Sequence, residues 1–106
     1  MRHMRPTQLK QHLEQSEKPP LLLDVREPWE YQICHIDGAE LVPMRTIPAA
    51  LGRFDREQEI VVICHHGIRS RQVAAYMEHQ GFSNIINLQG GIAGWAQEVD
   101  PGMPTY

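Results

Sequence analysis

Residues 60–71 read Ile60-Val61-Val62-Ile63-Cys64-His65-His66-Gly67-Ile68-Arg69-Ser70-Arg71. The first four are apolar and β-branched, a composition typical of a strand that is covered on both faces, as in a parallel sheet. A glycine-containing loop follows, and residues 70–80 then carry the apolar spacing of a helix that ends at Gly81. The stretch therefore predicts a buried strand, a short loop and a helix, the repeating unit of an α/β fold.

The same alternation continues on both sides of this unit. Apolar runs of strand length also occur at residues 21–25, 39–42 and 84–88. Helical spacing is found over residues 7–15, 28–31, 47–54 and 91–98. Strands that alternate with helices over short connections predict a three-layer α/β domain with a mostly parallel central sheet and helices on both faces.

Length and composition agree with one globular unit. The chain has 106 residues, 42% of them hydrophobic and 22% charged, and a chain of this size buries about 65% of its unfolded surface on folding. We therefore expect residues 1–106 to form a single domain. Residues 99–106 contain Pro101 and Pro104 and are expected to form a surface or frayed tail, because proline cannot continue the preceding helix.

Charge and hydropathy exclude several classes of function. The net charge of −3 provides no field that would draw the chain to nucleic acid or an anionic membrane. No apolar run approaches the roughly 20 residues of a membrane helix, and the first residues lack the apolar segment of a secretory signal. The two cysteines are too few for a disulfide framework. These features predict a cytoplasmic protein with no nucleic-acid or membrane partner.

Cys64 is the candidate nucleophile. It directly follows the buried strand, at the edge where loops of a parallel sheet lead into helix N-termini and where ligands collect. Gly67 allows the loop to direct successive backbone N–H groups inward, and Arg69 and Arg71 add positive charge. These features favour thiolate over thiol. The alternative is that Cys64 is a small buried apolar residue at the end of a core strand.

Four stretches together resemble the single-domain rhodaneses, a family of sulfurtransferases. They are Asp24-Val25-Arg26-Glu27-Pro28-Trp29-Glu30-Tyr31, His35-Ile36-Asp37-Gly38-Ala39, the loop from Cys64 to Arg69, and the segment from Gly81-Phe82 through Leu88-Gln89-Gly90-Gly91 to Trp95. They follow the order of the family and span nearly the whole chain. The resemblance implies a rhodanese-like fold.

The resemblance also implies a persulfide mechanism. Cys64 would take the outer sulfur of an anionic donor such as thiosulfate and pass it to cyanide, a thiol or a protein acceptor. The substrate-binding residues would be His65, His66, Gly67, Ile68, Arg69 and Ser70. No metal and no organic cofactor are expected, and we expect a monomer.

Two alternative functions remain open. The first is a non-catalytic sulfur-relay or binding module that acts with a protein partner, since the tail resembles the end of rhodanese domains attached to ubiquitin-like-activating enzymes. The second is a phosphatase or arsenate reductase of the same fold. The loop argues against the second, because Arg69 is the fifth residue after Cys64, whereas the phosphatase cradle places its arginine at the sixth.

Several neighbouring residues have simpler interpretations. Asp24 and Arg26 lie at the carboxyl end of the strand at 21–25, at a possible pocket edge, although a structural ion pair is the favoured interpretation. Cys34 is a resolving thiol, a disulfide partner or, as we favour, a passive substitution. Glu27, Glu30 and Asp37 are expected to be solvated or to cap helices. The histidines beside the cysteines lack zinc-ligand spacing, so His65 and His66 are placed at the entrance.

Overall fold

A computed structural model describes all 106 residues of the chain. Five strands form one sheet: β1 (Arg2–Met4), β2 (Leu21–Asp24), β3 (Glu40–Leu41), β4 (Ile60–Ile63) and β5 (Ile85–Leu88). The strand order is β1-β5-β4-β2-β3, and every pairing is parallel. The predicted three-layer α/β architecture is confirmed.

Five α-helices connect or flank the strands: α1 (Pro6–Gln15), α2 (Pro28–Ile33), α3 (Ile47–Ala50), α4 (Ile68–His79) and α5 (Gly91–Glu98). Short 3₁₀ turns precede and follow α3. Gly81 has φ +97° and Phe82 beside it is buried, as predicted for the end of α4. None of these helices has both the length and the apolar character needed to cross a membrane.

The sheet separates two apolar cores because successive side chains of a strand point to opposite faces. Ile60, Val62 and Cys64 belong to the core beneath α3 and α4. Val61 and Ile63 belong to the core beneath α1 and α5. The β4 strand is therefore covered on both faces, which explains why its sequence is continuously apolar rather than alternating.

Two expectations about element boundaries need correction. Strand β1 was not predicted, since Arg2, His3 and Met4 have no strand pattern of their own and become a strand only by pairing with β5. Helix α4 begins at Ile68 rather than Ser70, because Gly67 at φ +98° turns the chain directly into the helix. Arg69 and Ser70 therefore lie in the first helical turn and not in the loop.

Candidate active site

Cys64 lies at the centre of the candidate site. Its side chain leaves the carboxyl end of β4, only 1% of the residue is exposed, and both cysteines of the chain are free thiols. The backbone N–H of Gly67 donates a hydrogen bond to Cys64 Sγ at 3.0 Å. The short loop thus curls over the sulfur and directs an N–H group at it, an arrangement suited to holding an anionic sulfur.

A second pair of polar groups lies beneath the thiol. Cys64 Sγ donates to the hydroxyl of Ser70 at 3.3 Å, and Ser70 Oγ donates to Asn87 Oδ1 at 2.5 Å. Ser70 and Asn87 are both buried. Ser70 therefore contacts the sulfur from inside the protein and from the first turn of α4, whereas the family resemblance implied a substrate-binding residue of the loop.

Gly91 lets helix α5 support the loop from behind. It has φ +58°, and a Cβ at this position would lie 2.4 Å from the carbonyl oxygens of both Cys64 and His65. Those carbonyls instead accept hydrogen bonds from the backbone N–H groups of Ile92 at 2.8 Å and Ala93 at 3.0 Å. Only glycine permits this close approach, so the first turn of α5 holds the backbone at Cys64 in place.

Arg69 forms an ion pair with Glu30. Arg69 Nη1 donates to Glu30 Oε1 at 2.7 Å and Arg69 Nη2 donates to Oε2 at 2.8 Å. The guanidinium lowers the pKa of Glu30 to about 2, and the same bond raises the pKa of Arg69 above its ordinary range. Glu30 was expected to be solvated or capping. Glu30 does accept a hydrogen bond from the backbone N–H of Glu27, as a capping residue would. It is not solvated, because only 3% of the residue is exposed, and Arg69 neutralises its buried charge.

Asp24 and Arg26 form a second ion pair, fully buried, at the carboxyl end of β2. Arg26 Nη2 donates to Asp24 Oδ2 at 2.7 Å and also to the backbone carbonyl of Cys34 at 2.7 Å. Burial lowers the pKa of Arg26, but hydrogen bonds to Asp24 and Tyr106 outweigh burial and raise it overall. Asp24 and Arg26 neutralise each other in the interior beside the site, so neither offers an unpaired charge to a ligand.

Most residues of the tail over 99–106 are exposed at the surface, and the last residue returns to the site. Tyr106 Oη donates to Glu30 Oε2 at 2.7 Å and accepts from Arg26 Nη1 at 2.9 Å. Burial and the bond to Glu30 raise the pKa of Tyr106 to about 12. Its ring stacks on His65 with centroids 4.2 Å apart and meets Trp29 edge-on at 5.5 Å. Tyr106 therefore connects the two ion pairs and covers one side of the loop.

The remaining loop residues lie at the entrance. His65 stacks on His66 with ring centroids 4.1 Å apart. The pKa of His65 is lowered, mainly by burial and to a smaller extent by the charge of His66. His66 and Ile68 are exposed, and Gly67 is half-buried. No group of three histidine, cysteine or carboxylate side chains lies close enough to hold a metal ion.

Cys34 belongs to the core on the opposite face of the sheet from Cys64. It is buried, its thiol is free, and its contribution to the site is the carbonyl that accepts from Arg26. The sheet separates the two sulfur atoms, so the positions favour the passive interpretation of Cys34.

Known proteins share both the sequence and the fold. The rhodanese-like domain family matches residues 5–98. The chain belongs to the rhodanese-like family. The crystal structure of a rhodanese-like domain protein from Staphylococcus aureus superposes with a TM-score of 0.85 at 34% identity, over 93% of this chain and 95% of that one.

Two curated relatives of this rhodanese-like chain carry sulfurtransferase names. The probable adenylyltransferase/sulfurtransferase MoeZ of Mycobacterium tuberculosis is 38% identical over 95% of this chain and 26% of MoeZ. A sulfurtransferase of Allochromatium vinosum is 37% identical over 79% of this chain and 76% of that protein. The chain thus spans about a quarter of the length of MoeZ.

Three residues that contact the candidate site were not predicted from the sequence: Glu30 as an ion-pair partner, Asn87 and Tyr106. Of these three residues, only Asn87 could have been found from the sequence, because it is the one polar residue in β5, Ile85-Ile86-Asn87-Leu88. A buried amide costs free energy unless it is hydrogen-bonded, so an asparagine inside an apolar strand indicates a polar partner. Glu30 and Tyr106 had no such signal, because their partners are distant in the sequence.

Proposed function

We propose that this protein is a sulfurtransferase that carries a sulfane sulfur on Cys64. The observation that supports the proposal is the enclosed position of the Cys64 sulfur, which the loop covers and which accepts the Gly67 N–H at 3.0 Å. When the sulfur at this position carries negative charge, the N–H group already directed at it stabilises that charge.

The proposed reaction has two displacement steps at sulfur. The Cys64 thiolate attacks the outer sulfur of a donor such as thiosulfate, a bond forms between the two sulfur atoms, and sulfite leaves with the electron pair of the broken bond. A second thiolate, or cyanide, then attacks the outer sulfur of the persulfide and Cys64 leaves as thiolate. Both steps are nucleophilic substitutions and return the protein to its starting state.

The loop residues have distinct roles in this proposal. The N–H groups of the loop bind the anionic sulfur, Gly67 provides the turn, and His65, His66 and Ile68 border the entrance for the donor or acceptor. Arg69 acts mainly by positioning the first turn of α4 against Glu30. No metal or organic cofactor takes part. A thiol that must return to its reduced form suits a reducing compartment, and we propose the cytoplasm.

A protein partner is a second possibility, supported by the charge balance of the site. Arg69 and Arg26 are each paired with a carboxylate, Glu30 and Asp24. The charged cluster beside Cys64 is therefore neutral overall and attracts a free anion weakly. Trp29 and Ile68 remain 58% and 65% exposed near the loop, as suits contact with a protein. A relay module of this kind would react slowly with free thiosulfate and quickly with a protein donor or acceptor.

The proposed function is tested by intact-mass measurement after incubation with thiosulfate and removal of the excess donor. The native protein and Cys34→Ser should each gain one sulfur, and Cys64→Ser should gain none while retaining its thermal unfolding transition. Cys34→Ser is the matched control because it removes the other buried thiol. Sulfur loading of a folded Cys64→Ser variant would overturn the proposal.

Turnover with cyanide then separates the enzyme from the relay module. Fast cyanide turnover supports a free-standing enzyme, whereas loading without turnover supports the relay. Hydrolysis of an aryl phosphate should be negligible, because the loop places arginine at the fifth position after Cys64. Hydrolysis at an ordinary enzymatic rate would instead favour the phosphatase alternative.

A further inference from the structure

Asn87 lies in the middle of the sheet and yet carries a polar side chain. It pairs with Val62 of β4 on one side and with His3 of β1 on the other. Its Oδ1 accepts from Ser70 at 2.5 Å, and its Nδ2 lies 3.3 Å from His3 Nδ1. The amide therefore ends a hydrogen-bonded chain that begins at the Cys64 sulfur and runs through the Ser70 hydroxyl.

The direction of this chain follows from the number of hydrogens. An amide oxygen only accepts, so Ser70 must give its single hydroxyl hydrogen to Asn87. Ser70 can then only accept from Cys64, so the contact at 3.3 Å is a hydrogen bond when the sulfur carries its proton. After the thiol proton is lost to solvent, the sulfur becomes an acceptor and competes with Asn87 for that same hydrogen.

The buried surroundings make this competition unequal. Ser70 is fully buried and Asn87 is 2% exposed, so no bulk water replaces a lost partner on the Oδ1 side. If Ser70 turned to the sulfur, the amide oxygen would be left unpaired, which is costly in the interior. The Nδ2 side differs, because a polar cavity of about 240 Å³ lined by His3, Asn87, Arg71 and the loop opens beside it.

We propose that Asn87 is a positioning residue that controls the reactivity of Cys64 by holding the hydroxyl hydrogen of Ser70 away from the sulfur. The inference rests on the proposed function, since it assigns Asn87 a role in forming the reactive thiolate. A protonated Cys64 thiol is oriented toward Ser70. When Cys64 becomes a thiolate, there are two alternatives. Either Ser70 gives up its buried hydrogen bond to Asn87 and donates to the sulfur, or the loop alone stabilises the negative charge.

The test removes the amide and measures the alkylation rate of Cys64 with iodoacetamide between pH 5 and pH 9. All variants carry Cys34→Ser, so that one thiol reacts. Asn87→Leu frees the Ser70 hydroxyl to donate to the sulfur, and the alkylation rate at pH 6.5 should rise about fivefold, since a hydrogen bond to an ion is stronger than one to a neutral group. In the Ser70→Ala background the same Asn87→Leu change should produce no rise.

Asn84→Leu is the matched control, because Asn84 precedes the same strand at its other end and bonds to Arg2. It should leave the alkylation rate unchanged. An Asn87→Leu rate equal to or below the parent rate, or a rise that persists with Ser70→Ala, would overturn the proposal. A merely structural role of Asn87 would lower the unfolding temperature without producing this dependence on Ser70.

An infrared measurement on the Cys34→Ser protein keeps the proposal testable if the Asn87 variant does not fold. The S–H stretch of Cys64 should show the lowered frequency of a hydrogen-bond donor, and the frequency of a free thiol would contradict the proposal. Neither measurement involves a sulfur donor. Failure of the proposed sulfur transfer would appear separately, as an unchanged mass after thiosulfate treatment.

Discussion

Glu30 of α2 and Arg69 of α4 are joined by two parallel hydrogen bonds of 2.7 and 2.8 Å. The pair connects the helix that follows β2 to the first turn of the helix that follows Cys64. Because the Glu30 side chain is nearly buried while that of Arg69 is about a third exposed, the arginine is needed to neutralise the buried carboxylate and to hold the first turn of α4 in place. Substitutions at Arg69 therefore affect stability and activity together.

Arg69→Ala should lower the free energy of unfolding by about 2–3 kcal/mol, because it leaves Glu30 charged and buried without a cation. The control is Arg45→Ala, which breaks the exposed pair with Glu27 and should cost less than about 1 kcal/mol. Urea denaturation at pH 7 measures both. The double variant Glu30→Gln/Arg69→Met should recover much of the lost stability. Equal stabilities for Arg69→Ala and Arg45→Ala would contradict the role assigned to Arg69.

Acid should weaken the same region. The pKa of Glu30 is about 2 in the folded protein against an ordinary 4.5, so its contribution to stability is fully present above pH 4.5 and is lost as the pH falls toward 2. The contribution is about 3 kcal/mol. Glu30→Gln should flatten the pH dependence of the unfolding free energy in this window, and Glu27→Gln should leave it nearly unchanged. A native-like slope in Glu30→Gln would show that other carboxylates carry the effect.

Tyr106→Phe removes the hydroxyl that joins Glu30 and Arg26. We expect a loss of about 1–2 kcal/mol in stability, faster proteolysis of residues 101–106, and a change in the fluorescence of Trp29, which packs against the Tyr106 ring. Tyr76→Phe is the matched control, since Tyr76 is also 37% exposed and its hydroxyl makes no hydrogen bond within the chain. Identical proteolysis of the two variants would indicate that the Tyr106 hydroxyl does not hold the tail.

Gly91→Ala should be severely destabilising. The added Cβ would lie 2.4 Å from the Cys64 and His65 carbonyl oxygens, so α5 and the loop must separate, and we expect a loss of more than about 2 kcal/mol together with slower sulfur loading of Cys64. Gly52→Ala, which meets no atom within 4 Å, should be near neutral in thermal unfolding and mass measurements. Normal loading of a folded Gly91→Ala variant would show that this close approach does not position Cys64.

Much of the fold was predictable because its signals are local. The apolar runs of β2, β4 and β5 and the spacing of α1 and α5 lie within single segments, and each segment forms the expected element. Strand β1 was not predictable in this way. Its three residues are mainly exposed, and they are extended because β5 provides an unpaired edge with which they can form hydrogen bonds.

Local sequence patterns predicted that Cys64 ends a buried strand and that Gly67 turns the chain after it, since strand composition and glycine conformation depend on neighbouring residues. The pairing of the charged side chains, by contrast, depends on the tertiary fold. Glu30 meets Arg69 across 39 positions and Tyr106 across 76, and nothing in the sequence separates these partners from other charged and aromatic residues. Packing of the helices onto the sheet sets the distances between them, and burial then makes each pairing energetically necessary.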